Sequence, residues 1–198
     1  MMSESNVNRV DRRSFVATLL GELPDALVVT GLGSATYDVY AAGDRDSNYY
    51  LWGAMGGATP LGLGLALAQP DKSVVVITGD GEQLMGIGSL ATIAVKKPAN
   101  LTIVVLDNGH FGETGMQRSH SSLGADLVAV AKGFGIADAF STDSPDGVRE
   151  VAGRINARQG VTFAQVFIES DEPPRALPPR DGPFIKNRFR AALGLEPF

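Results

Sequence analysis

The stretch GDGE at residues 79–82 and the stretch LTIVVLDNG at residues 101–109 together decide the fold of this chain. The first closes the short apolar run 74–78, and the second is itself an apolar run that stops at DNG. Runs of this length, rich in β-branched residues and ended by turn residues, predict strands. With the helical stretch between them they form a βαβ unit, whose strands are parallel and usually adjacent. Asp80 and Asn108 are therefore expected side by side at the carboxyl edge of the sheet, where open α/β sheets bind ligands.

Asp80 and Asn108 have the side chains that a metal-diphosphate site requires. Mg²⁺ prefers hard oxygen ligands and is commonly held by one or two protein groups together with substrate phosphates. Gly79 and Gly81 let the backbone approach the phosphates, and the helix expected to begin near Glu82 points its free N–H groups at the same anion. Each fragment alone is more typical of an ordinary tight turn. Together, 28 positions apart (80 to 108) and each after a strand, they indicate a metal-diphosphate site.

These residues resemble the diphosphate-binding motif of the thiamine diphosphate (ThDP) enzymes, in which a GDG triplet is followed one βαβ unit later by a pair of asparagines. In this sequence Asp107 replaces the first asparagine and Asn108 is the second. The resemblance implies that Asp80 and Asn108 bind Mg²⁺ through side-chain oxygens. It also implies that the backbone carbonyl of His110 is a third ligand and that Phe111 lies against the cofactor.

A second block, LWGAMGGA at residues 51–58, precedes a helical stretch rich in glycine and alanine. In ThDP enzymes a bulky apolar residue under the cofactor holds its two rings in a V, and a nearby backbone carbonyl accepts a hydrogen bond from the aminopyrimidine. By this resemblance Met55 is the wedge and Gly53 provides the carbonyl. The bent shape brings the cofactor's own amino group next to the thiazolium C2, so the protein contributes positioning. The alternative for Met55 is ordinary core filling.

A third block, TGLGS at residues 30–34, follows another apolar run. It lacks the third glycine of a dinucleotide fingerprint, and no acidic residue closes a following strand at the expected distance, so the pattern does not favour a nicotinamide site. In the ThDP family the first strand-to-helix turn contacts the diphosphate or the pyrimidine. The contacts that this resemblance implies are Gly31, Gly33 and Ser34.

Alternating helical and strand patterns predict an α/β fold with a doubly wound, mainly parallel sheet, which is the fold of the ThDP-binding domain. The expected helices are 11–22, 34–42, 57–68, 83–95, 125–133 and 146–158. The expected strands are 26–30, 73–78, 101–107, 136–140 and 162–168, with an extended piece at 48–51.

The chain is expected to hold one ThDP diphosphate-binding domain over residues 1–170, followed by a tail over residues 171–198. Five prolines in residues 171–183 predict a linker, and the residues after it predict a short basic amphipathic helix. The apolar residues of that helix are expected to dock on this chain or on a partner rather than on a membrane; they are Phe184, Ile185 and Phe189.

Composition excludes several classes of protein. The chain has 198 residues, 44 % hydrophobic and 20 % charged, which suffices for one soluble domain with a sizeable core. A net charge of −5 and the lack of a basic stripe before the tail argue against a nucleic-acid partner. Residues 53–69 are too few and too rich in glycine for a membrane span, and the polar N-terminus is no signal peptide, so a cytoplasmic location is expected. The absence of cysteine excludes disulfides and thiolate-bound iron–sulfur clusters in this chain.

The resemblance also implies that a partner is needed. ThDP enzymes activate the cofactor with a glutamate that hydrogen-bonds the pyrimidine N1′ and lies on a separate pyrimidine-binding domain. With 198 residues the chain is too short to contain both domains. Neither local carboxylate, Glu82 or Glu113, is assigned this role. We expect either a partner subunit that supplies the pyrimidine-binding domain, in an obligate hetero-oligomer built from paired dimers, or a chain that is not catalytically complete.

The segment 107–117 is similar to the β subunits of sulfopyruvate decarboxylase and to the matching half of phosphonopyruvate decarboxylase. This resemblance implies decarboxylation of a small acidic 2-oxoacid to CO₂ and an aldehyde, in which the cofactor takes up the electron pair. An anionic substrate needs cationic or N–H donors. Arg118 and His120 follow the metal loop and are candidates, with a solvated loop pair as the alternative.

Three other hypotheses remain open. An acetolactate-synthase-like carboligase would share every cofactor residue named above. A 2-oxoacid:ferredoxin oxidoreductase β subunit has a similar architecture but normally carries cluster-binding cysteines, which this chain lacks. A non-catalytic subunit could hold ThDP and Mg²⁺ without turnover, although the intact pair of Asp80 and Asn108 argues against such decay.

Overall fold

Apolar, β-branched runs form the strands of a central sheet, as the sequence predicts. The computed structural model describes residues 9–196. The strands, in chain order, are β1 (Leu27–Thr30), β2 (Asn48–Tyr50), β3 (Val74–Gly79), β4 (Leu101–Asp107), β5 (His110–Phe111), β6 (Gln117–Arg118), β7 (Asp138–Thr142) and β8 (Thr162–Phe167). The α-helices are α1 (Arg12–Gly21), α2 (Ser34–Ala41), α3 (Ala58–Ala68), α4 (Asp80–Met85), α5 (Ser89–Lys96), α6 (Leu127–Phe134), α7 (Gly147–Ala157) and α8 (Gly182–Ala192).

Six strands form one parallel sheet in the order β2-β1-β3-β4-β8-β7. Two hydrophobic clusters cover its two faces, one beneath α1, α2 and α7 and the other beneath α3, α5 and α6. The predicted fold, an α/β doubly wound parallel sheet, is confirmed. In the register of β3 and β4, Gly79 lies opposite Leu106, so Asp80 and Asp107 follow at the same edge. No helix among residues 9–196 is long and apolar enough to cross a membrane.

The predicted single helix 83–95 is wrong, because two helices occupy this stretch. Helix α4 begins directly at Asp80, and α5 begins at Ser89 after a break at residues 86–88. At Gly86 the backbone presses so closely on Gly56 that an added Cβ would overlap the Gly56 carbonyl oxygen. A continuous helix would carry the chain past this contact, so the close approach of the two glycines accounts for the break.

A short hairpin formed by β5 and β6 lies within the loop after β4, where the sequence analysis expects neither a helix nor a strand. Two-residue strands are too short for a period-two pattern to show. Strand β7 also begins two residues later than predicted. Gly135 ends helix α6 in the left-handed conformation, and Ile136 then packs into the core before the strand starts.

Helix α8 docks on the domain. Ile185 is buried, and the Phe189 ring packs edge-on against Tyr49 with 5.4 Å between the ring centroids. The Arg188 guanidinium pairs with Asp44, with Nη1 and Oδ2 2.5 Å apart. Of the apolar helix residues expected to dock, Ile185 and Phe189 contact this chain, whereas Phe184 is 49 % exposed. The division into 1–170 and 171–198 remains a prediction, but α8 packs on the same core as the sheet.

The proline-rich segment before α8 lies against the domain rather than projecting from it. The Trp52 indole Nε1 donates a hydrogen bond to the Pro179 carbonyl oxygen at 2.9 Å, and Arg13 donates one to the Pro174 carbonyl. Because Trp52 belongs to the loop after β2, this segment passes along the carboxyl edge of the sheet.

We expect Phe189→Ala to lower the free energy of unfolding by about 3 kcal/mol, because a ring that is only 6 % exposed leaves a cavity when it is removed. Phe184→Ala, on the same helix, is the matched control and should change stability by less than about 1 kcal/mol. Urea unfolding followed by circular dichroism measures both values. Equal values for the two variants would show that α8 does not stabilise the domain.

Candidate active site

The carboxyl ends of β1, β3 and β4 surround a cavity of about 250 Å³. The topology explains its place, because β1 is flanked by β2 on one side and β3 on the other, and connections in both directions leave a crevice at this edge. Ten of the residues that the sequence singles out line the cavity: Gly33, Ser34, Met55, Gly79, Asp80, Gly81, Glu82, Asn108, His110 and Phe111.

Asp80, the first residue of α4, is 2 % exposed, and serine hydroxyls surround its carboxylate. Ser119 donates a hydrogen bond to Asp80 Oδ2, and the Ser121 hydroxyl lies 3.0 Å from the same oxygen. The Ser121 hydroxyl is also 2.9 Å from Asp107 Oδ1. Gln165 donates to the other Asp107 oxygen at 2.6 Å. A hydroxyl has one proton, so Ser121 can donate to only one of the two carboxylates at a time.

The carboxylates of Asp80 and Asp107 carry more negative charge than the neighbouring hydroxyl and amide donors compensate. Burial, and then the charge of Asp107, raise the pKa of Asp80 to about 6, while the hydroxyls of Ser119 and Ser121 lower it. Two buried carboxylates that share one hydroxyl donor are mutually unfavourable unless a cation lies between or beside them. A divalent cation next to Asp80 would relieve this repulsion.

Asn108 and His110 form a tight turn at the end of β4. The His110 backbone N–H donates to Asn108 Oδ1 at 2.9 Å, and the His110 ring Nδ1 lies 2.8 Å from the Asn108 carbonyl oxygen. Asp107 shapes the same turn, because its Oδ1 accepts a hydrogen bond from the Gly109 N–H at 2.8 Å. The imidazole is thereby bound to its own turn, and no role for it as a metal ligand is needed. An amide oxygen accepts two interactions, so Asn108 Oδ1 keeps a lone pair for a ligand.

Glu82 lies among the glycine-rich loops. Its carboxylate is buried and accepts a hydrogen bond from the Thr78 hydroxyl at 2.9 Å. Burial raises its pKa, and the backbone amides of Gly56, Ala58 and Leu32 act in the opposite direction. Gly56 lies in the loop before α3, Ala58 is the first residue of α3, and Leu32 lies in the loop after β1. The carboxylate therefore lies between these loops and the start of α4, and its Oε1 has no hydrogen-bond partner among the described residues.

Met55 lies at the mouth of the cavity and is 46 % exposed. This exposure argues against the alternative that it fills the core. The loop that carries it is clamped by backbone contact, since Gly56 has a positive φ of 82° and an added Cβ there would lie 2.8 Å from the Gly86 nitrogen. The Met55 position is thus set by two glycines that pack against each other.

The family model for the thiamine pyrophosphate enzyme, C-terminal TPP binding domain, matches residues 32–166. The chain belongs to this family. Thiamine pyrophosphate is the compound called ThDP above, so the resemblance inferred from the GDG and Asp-Asn motifs is confirmed. The matched range includes Met55, Asp80, Asn108 and His110, which line the cavity.

Relatives within the family include two enzymes that act on small acidic 2-oxoacids according to their names. The phosphonopyruvate decarboxylase of Streptomyces viridochromogenes is 39 % identical over 96 % of this chain and 48 % of that protein. The sulfopyruvate decarboxylase subunit beta of Methanococcus maripaludis is 32 % identical over 92 % of this chain and 97 % of that protein. This chain spans about half the length of the first relative and nearly all of the second.

The solved structure of the thiamine diphosphate-dependent 4-hydroxybenzoylformate decarboxylase of Rhodococcus jostii RHA1 shares the fold. It matches with a TM-score of 0.68 over 87 % of this chain and 35 % of that chain. The sequences are 24 % identical, so this likeness shows the fold alone.

The cavity residues fit the ThDP of this family together with Mg²⁺. The buried pair of Asp80 and Asp107 calls for a cation, and the amide of Asn108 adds a hard oxygen ligand. Among residues 9–196, no three His, Cys, Asp or Glu side chains converge on one point. A metal at Asp80 would thus draw on amide, backbone carbonyl and diphosphate oxygens rather than on a cluster of acidic side chains.

Four of the residues predicted for the site lie outside the cavity wall. Gly31 faces the Glu82 carboxylate, which occupies the space that a Gly31 side chain would need. Gly53 precedes the cavity-lining part of its loop, and its expected carbonyl contact with the aminopyrimidine remains a prediction. Arg118 donates to Ser122 through two nitrogens, and the His120 ring packs edge-on against Phe111. The placement of Arg118 and His120 favours the alternative of an ordinary loop pair.

No sequence pattern predicted the roles of the Ser119 and Ser121 hydroxyls or of the Gln165 amide, although all three bind the site carboxylates. Ser119 and Ser121 come from the loop after the β5–β6 hairpin, and Gln165 comes from β8, which pairs with β4. Only the folded arrangement brings these residues to Asp80 and Asp107.

We expect Asp80→Asn to stabilise the metal-free protein at neutral pH. The pKa of Asp80 rises from 3.8 to about 6 on folding, so the charged carboxylate destabilises the fold as pH rises through this window. The substitution should therefore add at most about 3 kcal/mol to the free energy of unfolding at pH 7.5 and almost nothing at pH 3.8. Urea unfolding in the presence of a chelator at both pH values measures the difference. Asp71→Asn, an exposed residue at the opposite edge, should show no such dependence.

We expect Gly86→Ala to displace the Met55 loop, because the new Cβ would overlap the Gly56 carbonyl. The free energy of unfolding should fall by about 1–3 kcal/mol, as for other overpacked sites. Gly88→Ala is the matched control, since Gly88, the residue before α5, has right-handed helical φ and ψ and a Cβ there meets no atom within 4 Å. It should leave stability unchanged or slightly higher. Denaturant unfolding of both variants tests this, and equal effects would show that the glycine contact is unimportant.

Proposed function

We propose that this chain is the diphosphate-binding subunit of a ThDP- and Mg²⁺-dependent decarboxylase that converts a small acidic 2-oxoacid, such as sulfopyruvate or phosphonopyruvate, into CO₂ and an aldehyde. The observation that carries the proposal is that Asp80 and Asn108, from two adjacent strands, line one cavity. The names of the relatives support the substrate class.

In this proposal the metal is held by the side chains of Asp80 and Asn108 and by the backbone carbonyl of His110. Ser34, at the start of α2, and Gly81, in the first turn of α4, offer backbone N–H groups to the diphosphate.

Met55 would support the rings of ThDP, and the Gly53 carbonyl would accept a hydrogen bond from the aminopyrimidine. When bound, ThDP supplies the carbon nucleophile that adds to the keto group and takes up the electron pair left by CO₂. The residues of this chain bind and orient the cofactor, and a proton from solvent or a partner group completes the aldehyde. The protein's share of the catalysis is therefore mainly positioning.

A partner subunit with a pyrimidine-binding domain would complete the site. Met55 and Met85 line the cavity and are 46 % and 64 % exposed, so the mouth of the cavity is apolar and uncovered in this chain. Glu82 accepts a hydrogen bond from Thr78 beside the glycine-rich loops, and Glu113 pairs with Arg175 at 3.4 Å, so we assign neither of them the activation of the pyrimidine. The name "subunit beta" of the relative in Methanococcus maripaludis supports a hetero-oligomer. The expected cytoplasmic location remains part of the proposal.

The decisive experiment is co-expression with a pyrimidine-domain protein and assay of CO₂ and aldehyde release with ThDP and Mg²⁺. Sulfopyruvate, phosphonopyruvate and pyruvate are compared as substrates. We expect release from an acidic 2-oxoacid only when both chains are present. Asp80→Ala should lower kcat/KM at least about 100-fold because it removes a metal ligand, whereas Asp71→Ala should leave it unchanged.

Other outcomes would identify a different activity. Condensation of two carbonyl compounds without aldehyde release would assign a carboligase. Binding of ThDP with neither product would assign a non-catalytic subunit. Release by this chain alone would contradict the need for a partner.

A further inference from the structure

Arg12 is the first residue of α1 and lies at the carboxyl edge of the sheet. Val10, two residues earlier, bridges to Ile168 just after β8, and its N–H donates to the Phe167 carbonyl oxygen at 3.0 Å. The Asp11 side chain caps the helix by accepting from the Ser14 N–H at 2.6 Å. The backbone on both sides of Arg12 is thus bound in place, so its side chain enters the site from a rigid support.

The side chain of Arg12 is largely buried, yet its terminal nitrogens have no acceptor among residues 9–196. The Arg12 side chain is 4 % exposed, and its Nε lies 3.3 Å from Asp38 Oδ2 without hydrogen-bond geometry. Neither Nη atom forms a hydrogen bond with any residue in the range 9–196, and of the three nitrogens only Nε is fully buried. The Nη donors are therefore open to the cavity that Arg12 lines.

Two arginines share the Asp38 carboxylate. Arg13 Nε donates a hydrogen bond to Asp38 Oδ1 at 3.2 Å, whereas Arg12 forms only an ion pair with Oδ2. Arg13 is 28 % exposed and reaches the Pro174 carbonyl, so water and the proline-rich segment share its charge. Among the described residues, Arg12 has Asp38 as its ion-pair partner, and its side chain lines the cavity.

Arg12 lines the same cavity as Met55. It also lines a smaller adjoining cavity of about 210 Å³, whose wall includes Ser34 and Asn108 but not Met55. That second wall carries acidic groups as well, among them Glu113, which pairs with Arg175. The side chain therefore faces the space near the start of α2 and the metal candidates, where the proposed function places the diphosphate.

We propose that Arg12 binds a terminal oxygen of the cofactor's diphosphate and so acts as an anion anchor outside the GDG and Asp-Asn motifs. The inference rests on the proposed function. A planar guanidinium with open Nη donors matches phosphate geometry, and Asp38 orients it through Nε.

The test compares the affinities of ThDP and thiamine monophosphate for the complex of the full chain with its pyrimidine-domain partner, with Mg²⁺, by isothermal titration calorimetry. Arg12→Gln should raise the Kd of ThDP at least about tenfold, as expected for loss of charge-assisted hydrogen bonds, and change that of thiamine monophosphate less than about threefold. Arg13→Gln is the matched control, because it also removes a partner of Asp38 but does not line the cavity. It should leave both affinities within about threefold.

Arg12→Lys keeps the positive charge beside Asp38. We therefore expect it to fold even if Arg12→Gln does not. It should weaken ThDP binding by at least about threefold, because one ammonium replaces the two open nitrogens of the fork. Equal weakening of both ligands by Arg12→Gln, or unchanged ThDP affinity in either Arg12 variant, would overturn the anchor. A wild-type complex that binds neither ligand would overturn the proposed function, and the anchor would fall with it.

Discussion

Two carboxylates, Asp80 and Asp107, are buried at the ends of neighbouring parallel strands, and the rest of the site depends on how this charge is accommodated. The register of β3 and β4 places Gly79 opposite Leu106. The next residues along the two strands, Asp80 and Asp107, therefore lie side by side at the edge of the sheet. The protein offers only neutral hydroxyls and one amide to these groups, from Ser119, Ser121 and Gln165. Neutral donors weaken the repulsion but do not cancel it, which leaves Asp80 with a raised pKa and a need for a cation.

The same edge depends on close backbone contact. The backbones of Gly56 and Gly86 are in contact. This contact lies at the break between α4 and α5, and it also positions the loop that carries Met55. Glu82 lies between the loops after β1 and before α3 and the start of α4, although a carboxylate near a proposed diphosphate is electrostatically unfavourable. The Thr78 hydroxyl donates a hydrogen bond to the Glu82 carboxylate, and the backbone amides of the loops lower its pKa. The carboxylate therefore faces the loops. The shape of the cavity is therefore set by contacts that leave no room for larger side chains.

Much of the sheet could be predicted from sequence, because β3 and β4 are apolar, β-branched runs closed by turn residues. The meeting of Asp80 and Asn108 followed from the same runs, since a βαβ unit fixes the relative position of its strand ends. The helix break at residues 86–88 could not be predicted, because it results from a contact with Gly56, thirty positions earlier. The hydrogen-bond partners of Asp80 could not be predicted from sequence either, because serines in a loop follow no periodic pattern.

Two parts of the cavity wall differ in how complete they are. Near Ser34 and Asn108, the chain presents the proposed metal ligands, helix amides and the largely buried Arg12. Where Met55 and Met85 line it, the wall presents apolar surface to solvent. A cofactor bound here would find its charged end satisfied by this chain and its rings only half enclosed. If the proposed partner covers Met55, its binding should depend on the rings being in place, because the same apolar surface would then contact both. Cofactor and partner would consequently bind cooperatively, each covering surface that the other leaves exposed.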